Sequence, residues 1–259
     1  MGKGSISEVI NHFERLIDKL VPAQSIDCVI LGYQDNQLKV LLLKWLDRPE
    51  WALPGGFIYK NEDMDEAAVR VLKERTGLDS IYLSQFKSFG RVDRRDHDRM
   101  DEMFASLSVR SDKVISWFRQ RFITTGYFAL TNIEKSSPQP DMFSERCEWV
   151  SISNLPSLLF DHGEIIKSAL SFIRIRLNYL PFGDSLLPQK FTMGDLQNLY
   201  EEILGRELDR GNFQKKMLKL EIFIRLEKQL TGGAHKAPYL YKFDQEKYQR
   251  LLERGIGFI

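Results

Sequence analysis

Cysteine is scarce in this chain. Cys28 and Cys147 are the only two, each within an apolar, strand-like run and neither at a metal-ligand spacing. Both read as reduced core residues, which suits a cytoplasmic protein. Long apolar runs are missing as well. No stretch approaches the ~18 residues of a membrane span, and the opening residues carry no secretory pattern, which argues against secretion. Charge of one sign is the third absence. With 37 Lys+Arg against 36 Asp+Glu, a net charge of +1 names no partner, although the last seventy or so residues carry a small basic excess compatible with nucleic acid. What remains is ordinary globular composition, 43% hydrophobic and 28% charged over 259 residues, with room for a sizeable core and for two domains.

The most informative stretch is WALPGGFIYKNEDMDEAAVRVLKERTGL, from Trp51 to Leu78. An apolar run ends at Pro54, two glycines follow, and an acidic-opened helix runs to Gly77. Met64, Ala67, Ala68, Val71 and Leu72 keep helical spacing, and Gly77 stops the helix as a C′ residue does. The pattern resembles the Nudix box, Gly-x5-Glu-x7-Arg-Glu-U-x-Glu-Glu-x-Gly-U with U aliphatic. Gly56, Glu62, Arg70, Leu72, Glu74, Gly77 and Leu78 stand in register, but Val71 and Arg75 occupy glutamate positions. Nudix enzymes cut diphosphates by water attack assisted by divalent ions held on clustered carboxylates. Of that helical cluster only Glu74 remains, and Arg75 brings a permanent cation to the place of the dication. The expectation is a scaffold kept and a catalyst lost: no catalytic residues, no metal beyond what Glu74 alone would hold, and no cofactor. Magnesium enters only if the chain is a working hydrolase.

In chain order, residues 5–20 form an amphipathic helix, with Ser5 and Glu8 as a capping box, Ile10, Phe13, Leu16, Ile17 and Leu20 as its stripe, and His12 as a surface residue. Residues 25–33 and 37–45 make a hairpin. Arg48, Pro49 and Trp51 fall in a loop over the presumed cleft, where Trp51 either stacks on a sugar or base or is structural. A strand at 82–92 runs into a charged turn. Residues 100–121 form an insertion of two short helices: a lid, a dimer surface or, the favoured reading, packing on the core. Strands follow at 123–131 and in RCEWVSISNLP. Asp161 with Glu164 caps a helix over 164–178. Pro181, Gly183 and Pro188 then break all periodicity, which divides the chain into domains 1–182 and 183–259.

In the second domain, Thr192 caps a helix ending at Gly205, with Leu196, Leu199, Tyr200 and Ile203 inward. A second helix, 209–220, turns Phe213, Met217 and Leu220 inward. Its other face holds Asn212, Gln214, Lys215, Lys216 and Lys219, amide and cationic groups suited to base edges and phosphates. A strand, a tip with Gly232, Gly233, His235 and Lys236, a returning strand YLYKF and a last helix complete a winged helix-turn-helix.

Over residues 22–255 the chain resembles the Nudix-related transcriptional regulators, on WALPGGF, the degenerate box and FTMGDLQNLYEEILGRELDRGNF. The resemblance implies an α/β fold, a Nudix α/β/α sandwich with a mixed sheet, followed by a winged helix. It further implies a homodimer binding a double-stranded DNA operator, and a cleft sensing ADP-ribose or a sugar such as arabinose. Ligand residues implied are Arg48, Trp51, Gly56, Phe57, Arg70, Glu74, His162 and the pair Arg95–Asp96, which matches the family's Arg-Asp after a Phe-Gly turn. Arg70 either meets the ligand or pairs with Glu62 or Glu74. DNA contacts fall to Asn212, Gln214, Lys215, Lys216, Lys219, His235 and Lys236. The second helix reads DRGNFQKK where the family is richer in arginine, so the resemblance does not name the operator. The competing reading is an active hydrolase of ADP-ribose-like substrates.

Overall fold

The computed structural model describes residues 6–46, 48–79, 81, 83–94, 101–102, 104–105, 109–141, 144–177, 183–229 and 237–254. Contacts divide the chain into two units: Met1–Leu31, Val40–Ala129 and Ser136–Ala169 in one, and Gly32–Lys39, Leu130–Lys135 and Leu170–Ile259 in the other.

The described chain opens with α1 (Ile6–Leu16), then β1 (Leu20–Gln34) and β2 (Gln37–Trp45). Their two-residue turn works because Asp35 and Asn36 both accept positive φ, 54° and 57°. With β3 (Trp51–Ala52), β4 (Gly55–Tyr59), β5 (Ser84–Phe89), β6 (Ile123–Thr131) and β7 (Ser144–Ser151) they build a seven-stranded sheet. Its path runs β3-β2-β1-β6-β5, with β4 on β1 and β7 on β2. Against it lies the box helix α2 (Met64–Thr76), opened by an Asp63–Glu66 capping box and closed by Gly77 at φ 71°. Ile26, Cys28, Ile30, Leu41, Ala67, Ala68, Leu72 and Tyr127 form one buried cluster with Cys147 packed on its edge, as the cysteine reading requires. Each large side chain buried there contributes roughly 1.5–3 kcal/mol, so the box helix is held by packing whether or not it binds metal.

Some expectations are corrected. The insertion's second helix is α3 (Asp112–Phe118), capped by Ser111, whose hydroxyl accepts from the Val114 amide. Its first helix, like Ser5, lies partly or wholly outside the described residues. The helix expected at 164–178 is α4 (His162–Arg176), and the Asp161–Glu164 capping pair does not form. Asp161 instead accepts from Arg94 at 2.7 Å, and Glu164 accepts from Lys167 at 2.9 Å. A guanidinium is a stronger donor to a carboxylate than a helix-end amide.

The second unit contains β8 (Phe191–Thr192), α5 (Met193–Leu204), α6 (Arg210–Leu218), β9 (Phe223–Lys228), β10 (Tyr239–Phe243) and α7 (Gln245–Arg254). The strands pair in the order β8-β10-β9. Thr192 and Asp195 form a reciprocal capping box, and Gly205 ends α5 at φ 68°. Asp209 caps α6 by accepting from the Asn212 amide at 2.9 Å. Leu196, Leu199, Tyr200, Ile203, Phe213 and Met217 are buried. Leu220 falls beyond the end of α6 and is half-buried; Ile222 is the buried residue there. Arg174, on α4, donates through Nε to the Ile203 carbonyl at 2.6 Å. The wing tip with His235 and Lys236 lies outside the described residues. Among the described residues, no helix is long and apolar enough to cross a membrane.

Candidate ligand cleft and nucleic-acid face

A cavity of about 1050 Å³ opens in the first unit, at the upper end of the range for small-molecule sites. Its floor is the glycine turn ahead of the box helix. A Cβ on Gly55 would stand 2.4 Å from Asp27 Oδ1, and one on Gly56 would stand 2.8 Å from a Val71 methyl. Only glycine lets this backbone lie so close to β1 and α2.

Arg70 knots the box together. Its Nε donates to Glu62 at 2.9 Å, Nη1 to Glu74 at 2.9 Å and Nη2 to the Phe57 carbonyl at 2.7 Å. The guanidinium also lies 4.1 Å from the Tyr59 ring centre. Burial pushes the Glu62 carboxyl up, but the Arg70 hydrogen bond and the Tyr59 amide outweigh it and hold the group below the usual carboxylate range. The carboxylate oxygens a dication would need are therefore engaged with an arginine. Val71, 1% exposed, packs on Gly56, and Arg75 donates to Asp141. These residues do not fit a magnesium cage. Among the described residues no group of three or more His, Cys, Asp or Glu could hold a metal ion.

Asp27, Arg94 and His162, which also line the cavity, belong to a buried polar cluster. Arg94, its side chain 10% exposed, donates to Asp161 and to the Phe122 carbonyl at 3.0 Å, and lies 3.6 Å from Asp27. Asp27 accepts from the Thr124 hydroxyl at 2.8 Å. The His162 Nδ1 accepts from the Leu53 amide at 2.9 Å, which places the proton of the neutral ring on Nε2, 3.5 Å from Asp27. Burial pulls the His162 pKa below its ordinary value, against the opposing pull of Asp27 and Asp161.

Of the residues expected to meet a ligand, Gly56, Phe57, Arg70, Glu74 and His162 line the cavity. Arg70 and Glu74 do so while paired, the structural alternative for the box arginine. Arg48 and Trp51 are not among the lining residues. Arg48 forks onto Glu50 at 3.2 and 3.1 Å. Trp51 pairs with Lys44 in β3, donates its amide to Ser157 at 2.9 Å and carries Arg146 over its ring, so its backbone is spent on the sheet. Arg95 and Asp96 lie outside the described residues. Their neighbour Arg94 is the cleft arginine that sequence reasoning missed. Asp27, in a segment read only as strand, and Asp141 and Glu145 were missed too.

In the second unit α6 buries Phe213 and Met217 and exposes Asn212, Lys215, Lys216 and Lys219; Gln214 is half-buried.

Two family models match the chain. The NUDIX domain model matches residues 22–169, and the NrtR DNA-binding winged helix domain matches residues 183–243. The chain is 31% identical over 243 residues to the ADPR responsive transcriptional repressor NtrR of Acinetobacter baylyi, covering 90% of this chain and 88% of that relative. It is 30% identical over 151 residues to the ADP-ribose pyrophosphatase of Methanocaldococcus jannaschii, covering 57% of this chain and 73% of that one. The crystal structure of Shewanella oneidensis NrtR complexed with a 27mer DNA shares the fold, with a TM-score of 0.65 over 88% of this chain and 96% of that one at 24% identity. A Nudix domain joined in this order to an NrtR-type winged helix, with likeness along nearly the whole length, shows that the chain belongs to the NrtR family of Nudix-related transcriptional regulators.

Proposed function

We propose that this protein is an ADP-ribose-responsive transcriptional repressor whose Nudix domain senses rather than hydrolyses. The observation that carries the reading is the box itself. Val71 is buried against Gly56 and Arg75 is paired with Asp141 where a hydrolase would hold metal-binding glutamates. The same chain turns an asparagine and three lysines outward on the second helix of its winged helix. The likeness to an ADPR responsive repressor favours ADP-ribose over a free pentose as effector. The lining residues Gly56, Phe57, Arg94 and His162 would meet it, with Arg95 and Asp96 adjoining in sequence. A single winged helix reads one half-site, so a homodimer on a palindromic operator is the natural assembly. Such a protein works on the chromosome, in the cytoplasm.

The test is a titration of labelled operator with and without saturating ADP-ribose. Ligand should weaken operator binding by a coupling of about 1–3 kcal/mol, and operator should weaken ligand by the same factor, because linkage is reciprocal. Unchanged operator affinity at saturating ligand would remove the switch. The likeness to an ADP-ribose pyrophosphatase favours one second reading, hydrolysis. AMP release with magnesium at a rate near the ~10 per second of ordinary enzymes would establish it.

A further inference from the structure

The cleft has lost its metal ligands but not its positive charge. Val71 and Arg75 stand one turn apart on the same face of α2, and both line the cavity. Val71 packs on Gly56 at the floor, and Arg75 comes next along that face. These are the positions where a Nudix enzyme has carboxylates, which hold the dications that neutralise a diphosphate. Here the cation is part of the chain.

Arg75 is fixed in place. Its side chain is 13% exposed and donates to Asp141, whose side chain is 7% exposed. The loop that brings Asp141 is tied to the end of α2, where the Gln139 amide donates to the Thr76 carbonyl at 2.7 Å. Arg94 repeats the arrangement, lining the cavity with its guanidinium held by Asp161. The two arginines also act on one ring. Burial first, and then Arg94 and Arg75, lower the His162 pKa against the pull of Asp27 and Asp161. Pairing with an acid does not disqualify either arginine, since a catalytic dication is itself held by carboxylates when it meets a phosphate. A guanidinium recognises phosphate through planar, paired N–H donors, and charges this far from water are screened little by salt.

We infer that Arg75, together with Arg94, takes the place of the enzyme's dications, so that the cleft binds a diphosphate-bearing ligand without metal. The identity of that ligand rests on the sensor reading; the metal independence does not. The experiment titrates ADP-ribose into the full chain by calorimetry, once with EDTA and once with excess magnesium, and inorganic pyrophosphate with EDTA. The series is repeated with Arg75→Gln and with the pair Arg75→Gln and Asp141→Asn. The pair exchanges both charges for amides, and melting temperature is the folding control. Parent affinity for ADP-ribose should agree within about twofold between the two buffers and fall by about tenfold or more in the pair, at a melting temperature close to the parent's. Magnesium that tightens the parent by about tenfold would overturn the inference, because a dication would then still supply the charge. Parent-like affinity in the pair would overturn it as well. Should ADP-ribose not bind the parent in either buffer while pyrophosphate binds and is lost in the pair, the metal-free site stands and the effector assignment falls. Should neither ligand bind the parent in EDTA, the inference falls.

Discussion

Arg94 donates to Asp161 at 2.7 Å while its other arm lies 3.6 Å from Asp27, so one buried guanidinium stands between two carboxylates. Removing it takes from Asp161 its guanidinium partner and leaves Asp27 with the Thr124 hydroxyl and the His162 ring. Arg94→Met should cost roughly 3 kcal/mol, the scale for breaking a buried ion pair from one side. Urea unfolding of parent and variant measures it. Adding Asp161→Asn to Arg94→Met should recover part of the loss, because one stranded charge is gone. No recovery would mean that the arginine acts through packing alone.

His162 gives the fold a pH dependence with a definite sign. Its folded pKa lies below the ordinary histidine value because burial disfavours the cation. Between the folded and unfolded pKa values the unfolded chain binds the extra proton, so stability rises with pH there. The contribution is complete above the unfolded value of about 6.5 and is lost as pH falls toward the folded one, at up to about 1.4 kcal/mol per pH unit. His162→Asn keeps an acceptor for the Leu53 amide and removes the titration. Denaturant midpoints from pH 7.5 to 5 should therefore show a shallower slope in the variant than in the parent.

Restoring the box glutamates one at a time should fail for two different reasons. Val71→Glu puts a carboxylate against Gly56 in a site 1% exposed and should destabilise the protein by roughly 3 kcal/mol. Arg75→Glu places a like charge against Asp141. Only the pair, with magnesium present, should yield measurable AMP release from ADP-ribose. Activity in either single variant would show that the metal site needs only one of the two glutamates.

On α6, Lys215→Ala and Lys216→Ala should weaken binding to every DNA sequence and flatten the salt dependence by about one unit of slope each. Asn212→Ala should cost roughly 1–3 kcal/mol on the operator alone, provided it meets a base edge. Gln214, half-buried, should matter less for DNA and more for stability. Gel shifts at several salt concentrations separate the cases.

Local signals were legible and long-range ones were not. Thr192 and Gly205 delimit α5 from neighbours within a turn, so its limits could be read from the sequence, and Asp195 completes the capping box. The loss at Val71 and Arg75 was visible because the box has fixed spacing. Arg94 was invisible for the opposite reason. It sits in an arginine-aspartate run with no periodicity, and its partner Asp161 is 67 positions away in sequence. The apolar residues of the insertion announced a buried face, and Phe104, Val114 and Trp117 are buried. Nothing in their spacing told that a cavity borders that face. Arg48 and Trp51, read as loop residues over the cleft, are engaged by a neighbouring acid and by the edge of the sheet, partners that their sequence context did not announce.

The bond from Arg174 to the Ile203 carbonyl bears on where an autonomous DNA-binding fragment would begin. The last carbonyls of a helix lack partners within it, and here a side chain from α4 satisfies one of them. A fragment expressed from Gly183 would lack that donor and leave the end of α5 to fray just before the turn into α6. A fragment that starts ahead of α4 carries its own donor. Limited proteolysis of the two should release the shorter one's α5–α6 hairpin first, and the longer one should be the minimal piece that holds DNA.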